Sequence, residues 1–113
     1  MTIITTTPGI LTLIITLHVQ PRNCDALLDE IESATSDFIA LQPGFRSANL
    51  HRTPDSTRIV NYGQWESRES YARARSRPEF ESFSARVNEL ADRVDPVVCE
   101  VVFTRERSAP SGS

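Results

Sequence analysis

The chain has 113 residues, a length that suits one domain burying roughly two thirds of its unfolded surface around a single core. With 39% hydrophobic and 24% charged residues it reads as a soluble globular protein, neither disordered nor membrane-spanning. A net charge of −3 gives no field for nucleic acid, and all 12 basic residues are arginine, which excludes Schiff-base and lysine general-base chemistry.

Cys24 and Cys99 form no CxxC and have no histidine beside them, so a zinc site and a thioredoxin motif are excluded and two reduced core thiols are expected. The apolar run from Ile10 to Val19 is too short to cross a bilayer and has no basic segment before it. No membrane association and a cytoplasmic location are therefore expected.

In chain order, residues 1–9 are threonine-rich and read as an arm. A first strand follows over Ile10 to Val19, apolar at Leu11, Leu13, Ile15, Leu17 and Val19 and mixed on its other face. Pro21 stops that strand, and Asn23 is the expected N-cap of a helix from about Cys24 to Leu41 with a buried stripe of Leu27, Leu28, Ile31, Ala34, Phe38 and Leu41. Pro43-Gly44 breaks the helix.

A second strand, about Phe45 to Thr53, alternates Phe45, Ser47, Asn49 and His51 against Arg46, Ala48, Leu50 and Arg52. The turn Pro54-Asp55-Ser56 joins it to a third strand, Arg58 to Glu66, as a hairpin. Ser67 caps a short helix to about Arg75, and Pro78 opens another with Phe80, Phe83, Val87, Leu90 and Val94 on one stripe. Asp95-Pro96 ends it, and a last strand is expected from Val97 to Thr104, apolar on both faces. Residues 105–113 read as a tail, leaving 10–104 as the domain.

This order, β-α-β-β-α-α-β, is that of a ferredoxin-like α+β sandwich, an antiparallel sheet with helices on one face. Two strands that are apolar on both sides leave the second face in need of cover. A homodimer packed sheet to sheet supplies it.

The segment Asn61-Tyr62-Gly63-Gln64-Trp65 carries the chemistry. Residues two apart on a strand share a face, so Asn61, Gly63 and the only tryptophan point the same way, with a gap at Gly63 wide enough for a flat ligand. The structural alternatives are a core-anchoring tryptophan and a satisfied amide. Tyr71 divides between core packing and substrate contact. His51 either caps a barrel rim or acts as a base, and Arg86 either pairs with Glu81 or Glu89 or reaches a ligand. Arg73, Arg75 and Arg77 read as a solvated face.

The Pro43-Gly44-Phe45 turn, Ser47-Ala48-Asn49-Leu50-His51, the block from Val60 to Ser67 and Tyr71 together resemble the antibiotic biosynthesis monooxygenase family, and most closely its anthrone oxygenases. The similarity runs from about Leu11 to Thr104. It implies a dimeric α+β barrel that oxidises an anthrone or phenolic aromatic polyketide to a quinone with molecular oxygen, using no flavin, haem or metal. In that resemblance Asn61 and Trp65 are the catalytic donors, and Tyr71, Arg86 and His51 contact substrate. Haem-degrading members carry an axial histidine on the helix after Trp65, whereas no histidine follows His51 here. Two other classes fit the same residues: a polyketide cyclase or dehydratase of the same dimeric fold, and a non-catalytic ligand-binding protein.

Overall fold

The computed structural model describes residues 8–107, so most of the expected arm and tail lie outside it. The chain runs β1 (Leu11–Val19), α1 (Pro21–Asp37), a 3-10 turn (Ile39–Leu41), β2 (Phe45–Arg52), β3 (Arg58–Trp65), α2 (Arg68–Arg75), α3 (Pro78–Leu90) and β4 (Ala91–Cys99). The four strands form one antiparallel sheet in the order β2-β3-β1-β4. This is the expected ferredoxin-like α+β architecture, with the split β-α-β crossover placing β3 between β1 and β2.

Period-two alternation decides what each sheet face carries. Leu11, Leu13, Ile15 and Leu17 of β1 lie opposite Trp65, Gly63, Asn61 and Ile59 of β3, all on the helix-covered face. The core there has two parts. Leu17, Val19, Cys24, Leu27, Ile31, Ile59 and Val87 make an aliphatic cluster. Leu11, Ile39, Trp65 and Ala74, joined by Phe45, Tyr71, Phe80 and Phe83, make an aromatic one.

Four local readings are corrected. Helix α1 starts at Pro21, which fills the first helical position where a missing N–H costs nothing, and Gln20 rather than Asn23 precedes it as N-cap. The helix stops at Asp37, so Ile39 on the 3-10 turn takes the inward position and Leu41 is left 73% exposed. The last strand begins at Ala91, six residues before the expected start at Val97, and Val94 belongs to it opposite Leu17. Val102 and Phe103 lie beyond the strand and are exposed. A bulge between Phe45 and Ser47 shifts the alternation of β2, so Ala48 and Leu50 pair with Gly63 and Asn61 on the helix side and His51 turns to the opposite face beside Val60.

The α2 start is tightly fixed. Ser67 and Ser70 form a reciprocal capping box. Gly44, at φ +89°, packs directly on Ser70, where a Cβ would overlap the serine side chain. Its carbonyl also accepts from Glu66 N at 2.7 Å. The Pro-Gly-Phe turn thus clamps α2 against the end of β3 and sets Tyr71 beside Trp65. Both cysteines are free thiols, Cys24 buried and Cys99 half-buried.

Candidate active site

The helix side of β3 opens into a recess where the aromatic cluster fails to close. Leu13 and Ile15 of β1, Asn61, Gly63 and Trp65 of β3, Phe45, Ser47 and Ala48 of β2, and Tyr71, Phe80 and Phe83 of the helices are among its walls. Its volume is about 70 Å³. An adjoining outer compartment of about 260 Å³ shares Ile15, Ile31, Asn61, Tyr71, Phe80 and Phe83 with it and adds Arg75, Ser84, Asn88, Val94 and Pro96. Together the two reach the lower end of small-molecule cavities, roughly 300–1,000 Å³.

A chain of ring contacts builds the wall. Phe45 meets Trp65 edge-on at 5.4 Å, Tyr71 tilts against Trp65 at 5.4 Å, and Phe80 meets Tyr71 at 6.5 Å and Phe83 at 5.7 Å. These separations lie in the favourable range for aromatic pairs and hold Trp65 in one orientation. Burial pushes the Tyr71 phenol above its usual value, partly offset by the Arg75 guanidinium. Tyr71 therefore stays protonated at neutral pH, in the form that can donate a hydrogen bond and not in the form that acts as a base.

Two polar atoms in this region are buried without a hydrogen-bond partner: Asn61 Oδ1 and Ser47 Oγ. An unpartnered buried amide oxygen costs on the order of 1–3 kcal/mol, and proteins seldom retain one without a use. A half-turn about χ2 exchanges its oxygen and nitrogen, so Asn61 can accept from or donate to a ligand. Among the described residues, no group of three or more His, Cys, Asp or Glu side chains is arranged to hold a metal ion. No helix among them is long and apolar enough to cross a membrane.

Of the residues singled out from sequence, Asn61, Trp65 and Tyr71 converge on this cavity, while His51 and Arg86 do not line it. His51 is exposed on β2, turned away by the bulge. Arg86 is exposed on α3 and pairs with Glu30 of α1, not with Glu81 or Glu89. Ser47 and Arg75 are the lining residues that sequence reasoning missed. Arg75 had a visible signal, since it stands four residues after Tyr71 and so on the same side of α2. Its guanidinium carbon lies 5.7 Å from the Tyr71 ring centre.

An aromatic recess lined by an amide with a buried, unpartnered oxygen is thus cut into a ferredoxin-like sheet. The antibiotic biosynthesis monooxygenase family model matches residues 10–86, and the chain belongs to that family. Tetracenomycin-F1 monooxygenase of Streptomyces glaucescens is 32% identical over 117 residues, covering 100% of both chains. Among solved structures, SnoaB, a cofactor-independent oxygenase from Streptomyces nogalater, matches with a TM-score of 0.67 at 23% identity over 91% of this chain and 99% of its own. A conserved protein from Methanosarcina mazei matches with a TM-score of 0.75 at 9% identity over 84% of this chain and 95% of its own. At such identities the two solved structures speak to the fold alone.

Proposed function

We propose that this protein is a cofactor-independent monooxygenase that oxidises an anthrone or related phenolic aromatic polyketide to a quinone with molecular oxygen. The observation that carries the reading is the buried, unpartnered Oδ1 of Asn61 in an aromatic recess beside Trp65. The named activity of the relative that is 32% identical points the same way.

The chemistry asks little of the protein. Loss of a methylene proton turns an anthrone into an enolate electron-rich enough to give dioxygen one electron. Recombination of the resulting radical pair forms a carbon–oxygen bond, and with a proton returned the peroxide loses water as its C–H and O–O bonds break. One oxygen atom remains as the quinone carbonyl and the other leaves as water. In this scheme Asn61 and Trp65 stabilise the oxygen charge that develops, with the effect magnified where water is excluded. Tyr71, held neutral by burial, donates to the substrate carbonyl or phenol.

A homodimer is part of the same proposal. The sheet face opposite the helices carries Ile14, Val60, Tyr62 and Val97, and none of them is fully buried in one copy. A second copy laid on that face would cover them. Sedimentation equilibrium at micromolar concentration tests this, and a monomer would refute it.

The activity is tested by oxygen uptake and product mass with emodin anthrone. Uptake matching one quinone per dioxygen supports the proposal. Turnover of a polyketide substrate under anaerobic conditions, without uptake in air, would replace it with the cyclase or dehydratase reading.

A further inference from the structure

We infer that Arg75 is a substrate-positioning cation at the mouth of this cavity, and that the protein prefers aromatic substrates bearing an acidic substituent at the end remote from Asn61 and Trp65. The inference rests on the proposed small-molecule site and deepens it by naming a substrate class.

The two compartments are finished differently: Trp65 lines only the inner recess, Asn61 lies where the two meet, and Tyr71 stands between Trp65, at 5.4 Å, and Arg75, at 5.7 Å. Arg75 reaches only the outer compartment, which also gains the polar Ser84 and Asn88, one turn apart on α3. A flat substrate with its reacting carbon at Asn61 would therefore extend along the Tyr71 wall toward the guanidinium.

The charge balance favours an anion there. Among the described residues, no aspartate or glutamate lines either compartment. Arg75 is the one arginine among the described residues that lines the outer compartment, and no ion pair with a carboxylate there neutralises it. Its contact with the Tyr71 ring limits where the guanidinium goes, so less freedom is lost when it meets a ligand. A planar guanidinium also matches a carboxylate in two parallel hydrogen bonds.

The test is calorimetric binding of two probes that need no oxygen chemistry, 9-anthracenecarboxylate and the neutral 9-anthracenemethanol, to wild type, Arg75→Gln and Arg75→Lys. Wild type is expected to favour the carboxylate by about tenfold or more, as a charge-assisted hydrogen bond warrants. Arg75→Gln should erase that ratio, Arg75→Lys should restore part of it, and added salt should shrink it. A merely structural Arg75 would weaken both probes together and leave the ratio alone.

Equal affinities in wild type, or a preference that survives Arg75→Gln, would overturn the inference. If oxygen uptake with emodin anthrone persisted at the same time, the oxygenase reading would stand without it. Conversely, a carboxylate preference in a protein that takes up no oxygen would support Arg75 as an anion anchor and refute the oxygenase reading alone.

Discussion

The two ends of the helix-covered sheet face are built from the same strands yet finished differently. At the aliphatic end Leu27, Ile59 and Cys24 are fully buried and the side chains interdigitate. At the aromatic end large rings meet edge to face and leave a recess lined by Asn61, whose Oδ1 is buried without a partner. Aliphatic side chains interdigitate to close packing, while stiff rings fixed by their neighbours leave space between them. On the proposed function, stability is thus concentrated at one end of β1 and β3, and chemistry at the other.

If that division is right, the largest loss of stability comes from a change that leaves the chemistry intact. Leu27→Ala should cost about 2–5 kcal/mol of unfolding free energy, with turnover per folded molecule within about twofold. Chemical denaturation and oxygen uptake on the same sample measure both. A specific activity that collapsed with the protein still folded would show that the two ends are not separable.

Gly63→Ala probes the opposite end and should move the two quantities in opposite directions. A Cβ there would meet the Ser47 and Leu13 carbonyl oxygens at 3.5 and 3.9 Å, ordinary contacts, so the fold accepts it. Replacing a mid-strand glycine should raise stability by about 0.5–1 kcal/mol. The added methyl enters the recess, and misplacing the substrate by about 1 Å should lower turnover by up to roughly a hundredfold. Melting temperature and steady-state rate together check this. A stabilised variant with unchanged turnover would mean that the substrate does not use the recess.

The smallest effect concerns the β2–β3 turn, which serves neither end. Asp55 accepts from Thr53 Oγ1 at 2.8 Å, Thr57 Oγ1 at 2.7 Å and Thr57 N at 3.1 Å, and these bonds lower its pKa from 3.8 to about 2. Between those values the folded state binds fewer protons than the unfolded one, so this contribution is present above pH 3.8 and fades toward pH 2. The group is fully exposed, and the effect is correspondingly small. Asp55→Asn should flatten that part of the acid unfolding curve, read by urea midpoints at pH 5 and pH 2.5. An unchanged slope would assign it to other carboxylates.

How much of this was legible in sequence followed from how local each signal is. Alternation on β1 and β3 put Asn61, Gly63 and Trp65 on one face with Leu13 and Ile15, and Ser67 and Pro78 marked the two later helices where they occur. The position of His51 was not legible, because the bulge at the start of β2 leaves no mark in the alternation itself. Pro96 misled the reading of β4: a proline usually breaks a strand, but β4 lies at the sheet edge, where a missing N–H removes no ladder bond on its open side. Arg75 was hidden among Arg73, Arg75 and Arg77, which alternate along the sequence, and only its spacing from Tyr71 separated it from the other two.

The most direct test of the site is oxygen consumption under saturating emodin anthrone by Asn61→Ala and Trp65→Phe, with circular dichroism recorded on the same samples. Asn61→Ala removes the unpartnered amide, and Trp65→Phe deletes the indole N–H while keeping most of the ring packing. Each should lose on the order of 10- to 1,000-fold in turnover, the usual cost of removing one transition-state donor. Wild-type rates in both folded variants would contradict the account and leave Trp65 as a core anchor.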